Sequence, residues 1–97
     1  MSDPKLVAMV TLFIKSPDQE EEQGRCVQCA SLKRGLNKAG ITFNTEFLDS
    51  PEGLKIIELA KAQGKQSAPL TRVIFGDGSF ELVSGNNLPA IKEFFNV

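Results

Sequence analysis

The sequence contains no histidine, no tryptophan and no tyrosine, and only two cysteines among its 97 residues. Each shortage excludes a class of chemistry. Without histidine there is no Ser–His or Cys–His nucleophile pair, and the usual histidine-based catalytic zinc sites cannot be built. Two thiols are too few for a disulfide framework, and too few for structural zinc, which takes four protein ligands. A metal or iron–sulfur cluster would need a second chain or an outside thiol. Excess charge of one sign is missing too. Eleven Lys and Arg against twelve Asp and Glu leave a net charge of -1, with Lys33-Arg34 the only basic pair, so no nucleic-acid footprint is visible. Long apolar runs are also absent. Leu6 to Ile14 is the longest at nine residues, too short to span a membrane and without a small-residue cleavage pattern. The expectation is a cytoplasmic protein with no membrane and no nucleic-acid partner.

What is present fits one domain covering residues 1–97, with 41% hydrophobic and 24% charged residues, ordinary for a globular chain. The run Leu6–Ile14 is rich in β-branched residues and reads as a strand buried on both faces. Residues 15–24 are polar, with Pro17 and Gly24 as breakers, and read as a loop whose Glu20-Glu21-Glu22 run faces solvent. From Cys26 the pattern turns helical: Cys29, Leu32, Leu36 and Ala39 recur at spacings of three and four, and Gly40 marks the stop. Ile41–Leu48 alternates as a strand. Ser50-Pro51-Glu52 then opens a helix carrying Leu54, Ile57, Leu59 and Ala60 and ending at Gly64. After the loop 65–69, Leu70–Phe75 and Ser79–Val83 form a hairpin about Gly76-Asp77-Gly78, and Leu88–Phe95 closes the chain as a short helix. The order β-α-β-α-β-β-α predicts an α/β fold, a four-stranded mixed sheet flanked by three helices.

The two cysteines, Cys26 and Cys29, are separated by two residues and open the first amphipathic helix. A sulfur at a helix start meets free N–H groups and the positive end of the helix dipole, which favour the thiolate and lower its pKa below the free value of about 8.5. Arg25 acts in the same direction. The Glu20–Glu22 run opposes it, weakly wherever the separation exceeds a Debye length of about 8 Å. One turn on, Cys29 shares a face with Cys26, and only a small adjustment brings their β-carbons to the roughly 3.8 Å that a disulfide needs. Cys26, nearer the exposed end, is then the attacking thiolate. Cys29, on the buried face, resolves the mixed disulfide.

The succession of strand, loop, Cys26-Val27-Gln28-Cys29, helix, Ala68-Pro69 loop, hairpin, Gly85-Asn86 and closing helix resembles the glutaredoxin branch of the thioredoxin fold. The Cys-Val-Gln-Cys motif is similar to that of NrdH-type redoxins, and the hairpin and C-terminal residues resemble phage glutaredoxins. The resemblance implies a protein-disulfide oxidoreductase that cycles between dithiol and disulfide, binds no cofactor and acts as a monomer. Its electron source would be glutathione or a thioredoxin-reductase-type system. Its acceptor would be a protein disulfide such as that of ribonucleotide reductase. Pro69 matches the family's cis-proline, and Ala68 would present its backbone to a bound peptide. Lys15, Arg25, Val27, Gln28, Ala68, Pro69, Gly85 and Asn86 would make the substrate-binding surface. Some family features are missing. Loop 16–25 is longer than is common, no acid follows Gly85 to hold the amine of glutathione, and Val83 stands where NrdH-type proteins carry tryptophan. The missing acid tilts the electron source toward the flavoenzyme system. Two other readings of the same residues are a module holding a metal or cluster between chains through Cys26 and Cys29, and an adaptor that docks through its acidic loop.

Overall fold

The computed structural model describes residues 6–65 and 68–95. Its elements in chain order are β1 (Val7–Ile14), α1 (Pro17–Gln23), α2 (Val27–Lys38), β2 (Asn44–Phe47), α3 (Pro51–Ala62), β3 (Leu70–Phe75), β4 (Phe80–Ser84) and α4 (Leu88–Glu93). The polar N-terminus at residues 1–5 and the loop positions Gln66 and Ser67 lie outside the described residues.

The sheet runs β2-β1-β3-β4, with β1 parallel to β2 and antiparallel to β3, and β3 antiparallel to β4. Side-chain alternation splits the core in two. Val10 and Leu12 of β1, Val73 and Phe75 of β3, and Val83 of β4 pack on one face against Leu32 and Leu36 of α2 and Ile91 of α4. Phe13, Leu70 and Leu82 pack on the other face against Ile56 and Ala60 of α3. The chain thus has its single mixed sheet between helices.

Four expectations are corrected. The polar segment after β1 holds a fourth helix, α1. Ser16 caps it, accepting from the Gln19 N–H, while the Gln19 side chain accepts from the Ser16 N–H, and Pro17 takes the first helical position. Proline there starts a helix because its missing N–H would have had no helical partner. The second strand is half as long as the alternation suggested, and all four residues of β2 are exposed because it is an edge strand. Its first expected residue, Ile41, belongs instead to the cap that ends α2, where Ile41 N–H bonds the Leu36 carbonyl and Gly40 N–H the Asn37 carbonyl. That is a Schellman cap, turned by Gly40 at φ 74°. Finally, α3 buries Gly53, Ile56 and Ala60, leaving Leu54 and Leu59 exposed at 57% and 41%. A glycine carries part of that inner face, which a search for apolar side chains does not register. The first half of β1 is likewise more open than a doubly buried strand: Ala8 and Met9 are exposed.

Candidate functional site

The site lies where α1, α2, the end of β1 and the start of β3 converge. Cys26 is the N-cap of α2, and its Sγ accepts the Cys29 N–H at 3.3 Å. Cys26 and Cys29 are joined by a disulfide with their Cα atoms 5.3 Å apart. The sulfur that begins the helix is therefore already aimed at by a free amide of the first turn. That same donor would stabilise a negative charge once the bond is reduced. Both cysteines are nearly buried in this oxidised state, at 8% for Cys26 and 5% for Cys29. Lining separates them better than exposure: Cys26 borders an open groove of about 600 Å³ and Cys29 does not.

The groove brings together Lys15, Arg25, Cys26, Val27, Gln28 and Ala68 from among the sequence-predicted site residues. Val27 projects into solvent beside the disulfide, at 66% exposed. Ala68 precedes Pro69 across a cis peptide bond, and Pro69 itself is fully buried. Pro69, Gly85 and Asn86 are not among the lining residues. Their bonds run inside the chain. Gly85 N–H donates to the Pro69 carbonyl at 2.8 Å, and the Asn86 amide donates to Ser31 Oγ on α2 at 3.1 Å. This turn thus fastens the proline loop to β4 and reaches across to the helix that carries the cysteines. On the other side of the loop, Lys65 Nζ donates to the Leu82 carbonyl at 2.8 Å.

Sequence reasoning missed two parts of the groove. One is its polar wall, Gln19 and Gln23 of α1. The Ser16-Pro17-Asp18-Gln19 capping signature was the available signal for that helix. The other is its apolar floor, Leu48, Ile57 and Leu70, drawn from three elements that meet only in the folded chain. No residue of α1 is fully buried, and two polar contacts fasten it. Ser16 Oγ donates to Asp49 Oδ2 at 2.6 Å, and Glu20 Oε2 accepts the Cys26 N–H at 2.9 Å.

Neither a protein-family model nor a curated protein matches the chain. Among solved structures, the glutaredoxin of Archaeoglobus fulgidus is similar at 24% identity, over 93% of this chain and 88% of that one, with a TM-score of 0.58. The fold is thioredoxin-like. The disulfide sits at the start of α2, the helix that follows β1 and α1.

Proposed function

We propose that this chain is a glutaredoxin-like thiol–disulfide oxidoreductase that reduces protein disulfides. The observation that carries the reading is the placement of the Cys26–Cys29 disulfide. It caps α2 and borders, through Cys26, an open groove that Ala68 of the proline loop also lines. The similarity in fold to an archaeal glutaredoxin supports it.

In the reduced protein, the Cys26 thiolate attacks one sulfur of a partner disulfide bound along the groove. A Cys26–partner bond forms, the partner's own sulfur–sulfur bond breaks, and the second partner sulfur leaves as a thiolate that takes up a proton. Cys29 then attacks Cys26 Sγ, closing the intramolecular disulfide and expelling the first partner sulfur. The partner gains two electrons and two protons. The dithiol loses them and is restored by glutathione or by a flavoenzyme of the thioredoxin-reductase type. The Ala68 backbone N–H and C=O hold the partner's segment in an extended conformation, with Lys15, Arg25, Val27 and Gln28 contacting it. The protein works as a cytoplasmic monomer without a bound cofactor. Its acceptor class includes the redox-active disulfide of ribonucleotide reductase.

The test is reduction of insulin disulfides with a dithiol as electron source. Wild-type protein accelerates the reaction and Cys26→Ser abolishes the acceleration. Full activity of Cys26→Ser rules the assignment out. Running the NADPH-coupled assay with each reducing system in parallel identifies the electron source.

A further inference from the structure

Glu20 is the acid of the 20–22 run that is partly buried; Glu21 and Glu22 are exposed. Its carboxylate touches the disulfide residue itself, accepting the Cys26 N–H at 2.9 Å. Among the described residues, the charged groups around Cys26 come from three places. Glu20 reaches it from α1, Arg25 precedes it in the chain, and Lys15 lies across the groove at the end of β1. α3 and the described part of the proline loop contribute Ile57 and Ala68 to the groove, neither of them charged. Among the described residues, Glu20 is the charged side chain hydrogen-bonded to Cys26.

The oxidised sulfur is neutral, so the carboxylate acts on it little. In the reduced protein a thiolate forms on the residue whose N–H the partly buried carboxylate already holds, so two like charges stand close together. We infer that Glu20 is a positioning residue that sets the reduction potential of the dithiol. By opposing the Cys26 thiolate it makes the reduced protein a stronger electron donor. The inference rests on the dithiol chemistry proposed above. In exchange with glutathione, two glutathione thiols lose two electrons and two protons and join as their disulfide. The Cys26–Cys29 bond takes up those electrons and protons and opens to two thiols. The Glu20 charge pushes this equilibrium back toward the protein disulfide.

Two variants separate charge from structure. Glu20→Gln keeps an oxygen to accept the Cys26 N–H and removes the charge, whereas Glu20→Ala removes both. Because α1 buries no side chain, neither touches the core. Wild type and variants are equilibrated with reduced and oxidised glutathione at pH 8, and the dithiol fraction is read by alkylation and mass spectrometry. Both variants are expected to favour the dithiol by about two- to fivefold, the scale of an interaction between partly exposed charges. That is about 10–20 mV at roughly 30 mV per tenfold. The Cys26 thiolate absorbance appears at lower pH in both variants. A Glu20→Gln equilibrium equal to wild type at pH 8 overturns the inference, and so does a shift confined to Glu20→Ala. Wild-type protein that forms no disulfide exchangeable with glutathione defeats the dithiol reading itself. Normal wild-type exchange with an unchanged Glu20→Gln defeats only the role of Glu20.

Discussion

Replacing Gly53 by alanine tests how the groove floor is built. In an isolated helix the change would gain up to about 1 kcal/mol, because glycine is the poorer helix former. Here the sign should reverse. A Cβ at Gly53 would lie 2.5 Å from the Leu48 carbonyl oxygen, and it would press on the Phe47 carbonyl oxygen as well. Both obstacles are backbone, so no side-chain rotation relieves them. α3 would have to lift away from the end of β2. Overpacking of this kind costs about 1–3 kcal/mol, enough to outweigh the propensity gain. In a domain of this size each kcal/mol is worth about 4–8 °C in Tm, so the oxidised variant should melt several degrees to about 15 °C lower. Gly35→Ala is the matched control. Its Cβ would meet Leu88 Cδ2 at 2.9 Å, the far end of a flexible side chain that can turn aside. The helix gain then offsets the adjustment, leaving stability within about 0.5 kcal/mol. The assay is thermal unfolding followed by circular dichroism for the three proteins side by side. A Gly53→Ala protein as stable as wild type would refute the idea that α3 seats directly on the backbone at 47–48. That seating brings Leu48 and Ile57 together under the groove.

Three further outcomes follow from the site. Cys29→Ser should accumulate a mixed disulfide between Cys26 and a glutathione or peptide thiol, visible as a mass increase that dithiothreitol removes; no adduct would mean that Cys26 is not the attacking sulfur. Ser16→Ala removes the cap of α1 and its link to Asp49. A lost cap costs about 1 kcal/mol, but α1 is outside the core, so amide exchange at residues 20–23 should accelerate about fivefold with little change in Tm. Unchanged exchange would show that α1 is held by something other than these bonds. Asn86→Ala breaks the bond to Ser31 and should lower stability by about 0.5–1 kcal/mol in urea unfolding while leaving the apparent KM for insulin unchanged. A raised KM at constant stability would instead place Asn86 among the substrate contacts.

The sequence was most legible where one physical signal acted alone. The Cys26–Cys29 pair at a helix start, the Gly40 stop and the 70–75 strand with its hairpin partner each depend on neighbours in the chain, and each stands where spacing put it. Legibility failed where a local signal was ambiguous or where the third dimension decided. Pro17 could break a structure or begin one; the Ser16 and Gln19 side chains, each bonded to the other's backbone, settle the matter in favour of a helix. The inner face of α3 was hidden because Gly53 has no side chain to mark it, although the backbone of residues 47 and 48 fills that space.

The groove shows the same division in a way that bears on function. Its chemistry is local: a sulfur, a helix end and the flanking Arg25 are consecutive in the chain, so they could be read in advance. Its shape is not local. Leu48, Ile57 and Leu70 come from three elements, and the wall of Gln19 and Gln23 exists only because a polar segment folds into α1. Under the proposed function, reactivity toward a disulfide would follow from the first set and the choice of disulfide from the second. Changes in α1 should therefore alter which partner is reduced more than whether reduction occurs. Glu20 is the exception, because its bond to the Cys26 N–H ties α1 to the residue that carries the reacting sulfur. On the proposed reading, the segment that would select the partner is thereby also placed to set how strongly the dithiol gives up its electrons.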